Sequence, residues 1–185
     1  AVSWRAEALE GTGQFRAALA QLEAGLSMFP DAGALRFARA RLQVRLNHLD
    51  EARDDFLALL QRSGENADLL LALALIHLDQ NRLEEAATYL DRLEALGERP
   101  ALVAFHRGEV SARQGALGAA LAHWDRVPQG REYGRMLRRA AYWLGASDDP
   151  GALLRFADAQ FARYPEARER TALALSDALL TEGEG

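Results

Sequence analysis

The sequence predicts an all-α fold: an α-solenoid of antiparallel helix pairs, about five repeats long, closed by a C-terminal helix. Three observations predict it. Like residues recur every 34 positions, in the series Ala18, Ala52, Ala86, Ala120; Phe15, Leu49, Leu83, Leu117; and Leu22, Phe56, Leu90, Trp124. Apolar residues fall at helical spacing, as in Leu83, Ala86, Ala87, Leu90 and Leu93. No segment sustains the two-residue alternation of a half-buried strand.

The elements follow in order. First helices are predicted over 1–11, 32–46, 66–79, 100–114 and 131–145. Second helices are predicted over 14–29, 48–62, 82–96, 116–127 and 150–164, and a final helix over 166–180. The hexamers "GQFRAA", "NHLDEA", "NRLEEA" and "GALGAA" open the second helices with Gly13, Asn47, Asn81 and Gly115. Glycine and asparagine tolerate the left-handed conformation, so a helix ending there reverses into an antiparallel partner. The alanine then admits close helix approach, and the bulky residue four places on fills the groove from the same face. A second small series in the first helices, Ala6, Ala40, Ala74 and Gly108, recurs at the same 34-residue interval and supports the pairing.

Pro100 and Pro150 suit a first helical position, with Asp149 as a cap. "RVPQG" at 126–130 cuts the fourth second-helix short. Aligning Ala152 and Phe156 with the alanine/large pair then requires a two-residue deletion. The repeats are 1–32, 33–66, 67–100, 101–132 and 133–165, with a terminal helix over 166–181, in a single array. The first repeat begins two residues short. The last helix carries Leu173, Leu175, Leu179 and Leu180, more apolar surface than a solvent-facing cap needs, so an excerpt of a longer chain is expected.

Composition removes whole chemistries. All 22 basic residues are arginine, which excludes lysine-based phosphate clamps and Schiff bases. No cysteine is present, hence no disulfide and no thiol nucleophile. One isoleucine and three asparagines fit the codon usage of a GC-rich bacterium. A net charge of −5 argues against phosphate-backbone binding to nucleic acid. The longest strongly apolar run, Leu69 to Leu78, is too short for a membrane span of about 20 residues. Composition leaves the compartment open between cytoplasm and periplasm or envelope. His48, His77, His106 and His123 show no metal-ligand spacing, and His77 reads as a packing histidine. No catalytic constellation and no cofactor or metal site is found. Arg131, Arg135, Arg138 and Arg139 share a helix face, either solvated or gripping acidic groups.

The 34-residue interval and the small-x3-large element (Ala18/Leu22, Ala52/Phe56, Ala86/Leu90, Ala120/Trp124) resemble the tetratricopeptide repeat family. Two departures stand out. Arg36, Leu70 and Ala104 replace that family's tryptophan, and its closing proline survives only as Pro30. The resemblance implies a right-handed superhelix whose first helices line a concave groove for a partner segment. Its groove positions map to Ser3, Phe37, Leu71 and Phe105; to Glu7, Arg41, Leu75 and Glu109; and to Arg45, Asp79 and Arg113. The binding set implied is Phe37, Arg41, Arg45, Leu71, Leu75, Phe105, Glu109 and Arg113. Phe37, Leu71 and Phe105 either meet a partner or pack between neighbouring helices. Lysine and asparagine are missing from these places, which disfavours a carboxylate clamp for chaperone tails. The function implied is a non-enzymatic protein-binding scaffold, as in bacterial envelope assembly, polysaccharide export or protease adaptors. The alternative is a structural spacer or oligomerisation element with no groove ligand.

Overall fold

The computed structural model describes the backbone of residues 2–149 and 151–182, and side chains within 4–149 and 151–177. The described residues form α-helices and one short 3-10 turn, with no strand. They group into two compact units, 1–96 and 97–185. The first holds α1 (Val2–Gly11), α2 (Phe15–Met28), α3 (Gly33–Arg45), α4 (Leu49–Ser63), α5 (Ala67–Asp79) and α6 (Leu83–Ala95). The second holds α7 (Pro100–Arg113), α8 (Leu117–Trp124), α9 (Arg131–Gly145) and α10 (Ala152–Arg163). A 3-10 turn (Pro165–Ala167) then leads into α11 (Arg168–Glu182). The fold class is an all-α helical-repeat solenoid.

In the first unit α1/α2, α3/α4 and α5/α6 pair as hairpins, and α7/α8 repeats the arrangement in the second. The four hairpin turns use one device. Gly13, Asn47, Asn81 and Gly115 have φ of 76°, 61°, 56° and 78°. The amide after each donates to the carbonyl five residues back: Gln14 to Leu9, His48 to Gln43, Arg82 to His77 and Ala116 to Ser111, at 2.8–2.9 Å. The left-handed residue's own amide donates three residues back, at 3.0 Å in all four. This pairing satisfies carbonyls that a helix end leaves open.

The small and large series sit where the sequence puts them. Ala18, Ala52, Ala86 and Ala120 are all 0% exposed, as are Leu22, Leu90 and Trp124, while Phe56 is buried. The fourth hairpin departs from the others in an informative way. A Cβ at Gly108 would lie 2.0 Å from the Trp124 Nε1, so glycine is required where Ala6, Ala40 and Ala74 stand elsewhere. The indole takes that space, and its N–H donates to the Phe105 carbonyl at 3.1 Å.

Several boundaries shift. α8 stops at Trp124, three residues before the expected end, because Val127 turns into the core and Pro128 follows it without a donor. α10 begins at Ala152, not at 150. Pro150 lies outside the described residues. Asp149 does not cap α10 directly; its carboxylate accepts from the Gly151 amide at 3.0 Å, ahead of the helix. In the fifth unit Phe156 is buried, but Ala152 is only half-buried, a looser contact than in the other four. The predicted final helix divides into the 3-10 turn and α11. Leu175 is buried in the core and Leu173 is exposed. The Leu179 and Leu180 side chains lie outside those described.

Candidate functional site

The first helices of the unit 1–96 carry most of the predicted groove residues. Phe37, on α3, is half-buried with its ring edge-on to Phe56, centroids 5.7 Å apart. It borders an opening of about 180 Å3 shared with Leu59, Asn66, Asp68 and Leu69. Asn66 shapes this opening by capping α5: its side-chain oxygen accepts from the amides of Asp68 at 2.9 Å and Leu69 at 3.2 Å. Leu71 and Leu75, on α5, are half-buried. Arg41 is exposed. The Arg45 guanidinium lies 4.4 Å from the centroid of the Phe15 ring and reaches Glu10 at 3.4 Å. Asp79 and Glu7 are exposed; the Ser3 side chain lies outside those described.

What orients α3 is an ion cluster invisible to the repeat pattern. Asp55 on α4 is buried and takes two bonds at 2.7 Å from Arg39 and one at 3.2 Å from Arg36. The same Arg36 donates to the Pro30 carbonyl at 3.0 Å. Arg36 thus occupies the place of the missing tryptophan and anchors its helix by hydrogen bonds. The two-pronged Arg39 contact holds the helix that carries Phe37 and Arg41.

In the unit 97–185 the groove residues are differently placed. Phe105 is 3% exposed, with the Arg135 guanidinium 4.6 Å over its ring. Glu109 is 6% exposed and paired with Arg139 at 2.8 Å. Both are occupied within the packing of α7 against α9. Arg113 is exposed. The arginine face of α9 is divided accordingly: Arg135 pairs with Glu132 at 2.6 Å, Arg139 with Glu109, while Arg131 and Arg138 are exposed.

Neither inward histidine has the surroundings of a ligand. His77 is buried and stacks on Tyr89, centroids 5.3 Å apart, and burial pushes its pKa down. His106 is buried, and burial, with the Arg135 charge second, pushes its pKa down to about 4. Among the described residues no group of three or more histidines and carboxylates could hold a metal, and no helix is long and apolar enough to cross a membrane.

A model of the tetratricopeptide repeat matches the chain three times, over residues 5–68, 37–100 and 71–135. The chain belongs to the tetratricopeptide repeat family. No curated protein matches it in sequence. Solved tetratricopeptide structures do match in fold. YrrB, titled a protein "with an unusual peptide-binding site", is 23% identical with a TM-score of 0.66, over 93% of this chain and 87% of that one. PilW, a type IV pilus biogenesis factor, is 20% identical with a TM-score of 0.71, over 96% and 84%. TTC0263 from Thermus thermophilus is 20% identical with a TM-score of 0.64, over 95% of each chain. Proteins of this repeat family are in general non-enzymatic interaction modules that bind peptides and proteins. The tetratricopeptide fold here therefore supports a protein-interaction scaffold.

The repeat register breaks after "RVPQG", and this hid one region. With the two-residue deletion, Leu137 takes the place of Phe37, Leu71 and Phe105, and Gly134 that of Ala34, Asp68 and Leu102. Leu137 and Gly134 line a cleft between α9 and α11. The helix-weakening glycine inside "REYGRM" was the signal in the sequence.

Proposed function

We propose that the chain is a non-enzymatic tetratricopeptide scaffold whose first unit captures a segment of a partner protein. Phe37, Leu71 and Leu75 supply apolar contacts, and Arg41 and Arg45 supply cationic ones. The observation that carries this is Phe37: a large ring, half-buried, beside a small opening on α3 rather than sealed in the core. Half-exposed apolar anchors beside arginines suit a segment that offers apolar side chains and some acidic ones. Phe105 and Glu109 are instead engaged by Arg135 and Arg139 in the packing of α7 against α9.

Affinity capture from the native lysate, comparing wild type with Phe37→Ala and Arg41→Glu, tests the reading. Both variants should lose the captured partner while helicity and melting temperature stay near wild type. If Phe37→Ala instead costs about 2–5 kcal/mol of stability, as core truncations do, Phe37 is a packing residue and the proposal fails.

A second reading, self-association, is favoured by one observation: Trp4, Met28 and Phe29 of the first unit are each more than half exposed. Light scattering decides between them, since Met28→Glu would then abolish a concentration-dependent dimer. In α11 the surface variant for such a test is Leu173→Glu; Leu175 is a core residue.

A further inference from the structure

The second helices α8 and α10 border a cleft of about 300 Å3, the size of a small-ligand pocket. Its walls are apolar: Leu121 from α8, and Ala152, Phe156 and Ala159 from α10. Two departures from the repeat accompany it. α8 runs for 8 residues, where α2, α4 and α6 run for 14, 15 and 13. With the two-residue deletion, Ala159 takes the place of Leu59, Leu93 and Val127. Those three are buried, yet Ala159 is exposed. A bulky side chain in the other units is here a single methyl group.

One lining side chain is both polar and buried. Gln160 is 3% exposed and stands where the first two hairpins bury Leu26 and Leu60. Its Oε1 accepts from the Tyr133 hydroxyl at 3.0 Å, which holds the amide in one orientation. The two N–H groups of Nε2 then meet no acceptor among the described residues. A buried donor without a partner favours any acceptor that reaches it. The charged groups of the lining are already paired: Asp125 with Arg163 at 2.6 Å, and Arg155 with Asp149. The cleft therefore suits a neutral molecule over an ion.

We propose that the α8–α10 cleft binds a small neutral molecule with an apolar body and one carbonyl group. The carbonyl oxygen accepts from Gln160 Nε2, and the body lies against Leu121 and Phe156 in the space that Ala159 leaves. The site belongs to the second helices of the second unit and does not rest on the Phe37 reading.

The test titrates the full chain with acetophenone, and with ethylbenzene as the counterpart lacking a carbonyl, and follows the backbone amides by NMR. Saturable shifts centred on α8 and α10 are expected with acetophenone. Ala159→Trp fills the cleft from an exposed place, leaves the fold standing and should abolish those shifts. Gln160→Met keeps the volume and removes the donor. It should weaken acetophenone about fivefold, the worth of one neutral hydrogen bond, and leave ethylbenzene unchanged. No saturable shifts in the wild type, or shifts that persist in Ala159→Trp, overturn the proposal. So does a Gln160→Met variant that weakens both probes alike, because the amide donor would then play no part.

Discussion

The third and fourth hairpins, one in each compact unit, share a spacing but not a solution. In α5/α6 the equivalent places are held by Ala74 and Leu90, both fully buried; in α7/α8 Gly108 meets Trp124. The repeat fixes the distance between two helix axes, so small and large residues are interchangeable only as a pair. Adding a ring on one helix obliges the other to lose its Cβ. The fourth hairpin also gains a hydrogen bond from the indole to Phe105, and its Phe105 and Glu109 are covered by Arg135 and Arg139. The second hairpin leaves Phe37 half-buried, whereas the fourth covers Phe105.

The largest expected effect follows from that indole. Trp124→Ala should destabilise the second unit by about 3–5 kcal/mol, since it deletes a fully buried ring and strands a cavity beside Gly108. Urea unfolding followed by circular dichroism measures it. Leu90→Ala, its counterpart, belongs to a class costing about 2–5 kcal/mol and should fall below the tryptophan variant. The reverse order would mean that the glycine–tryptophan pair is no better packed than the regular contact.

Acid provides the next test. His106 is neutral when folded, its pKa pushed down to about 4 from an ordinary 6.5. Between those values the unfolded chain binds a proton that the folded chain refuses, so stability falls as pH drops through this window and levels off below it. The loss approaches about 3 kcal/mol by pH 4, at 1.36 kcal/mol per pKa unit. His106→Leu should flatten that part of the stability–pH curve. His77 in the first unit shifts in the same direction, so its replacement should remove a further slope.

A smaller effect isolates the coupling itself. Gly108→Ala forces a Cβ to 2.0 Å from the indole and should cost about 1–3 kcal/mol by overpacking. In a Trp124→Leu background the same change rebuilds the pair of the third hairpin and should be neutral or stabilising. A double-mutant cycle that returns no coupling would separate the two residues and dissolve the comparison.

How much of this was legible in the sequence differs between the units for a physical reason. Turn residues, small residues and large residues obey strict local rules, so the helices, their turns and the buried alanines could be read from spacing alone. Side-chain partnerships across helices obey no spacing. Gly108 and Trp124 each stood in their own series, but that one necessitates the other needs the distance between them. Phe105 looked like Phe37 because both hold the fifth place; only the arginines of α9, one register break away, decide that one is covered. The Asp55 cluster and the α9–α11 cleft were hidden in the same way, the first by long side chains and the second by a two-residue deletion.

The smallest effect probes what the units share. Asn81 at φ 56° and Gly115 at φ 78° make the same turn with the same two hydrogen bonds. Asn81→Ala should cost about 1 kcal/mol, because alanine lacks the polar side chain that eases the left-handed conformation. Asn81→Gly should be neutral to slightly stabilising at the turn, offset by the freer unfolded chain. Gly115→Ala should cost about 1–2 kcal/mol for the same steric reason. Denaturant midpoints of these three variants sharpen the comparison: equal penalties at Asn81 and Gly115 place the difference between hairpins wholly in their packing. A costless Gly115→Ala would instead show that the shortened α8 lets its turn relax, and the irregularity of the fourth hairpin would begin at the turn and not at the indole.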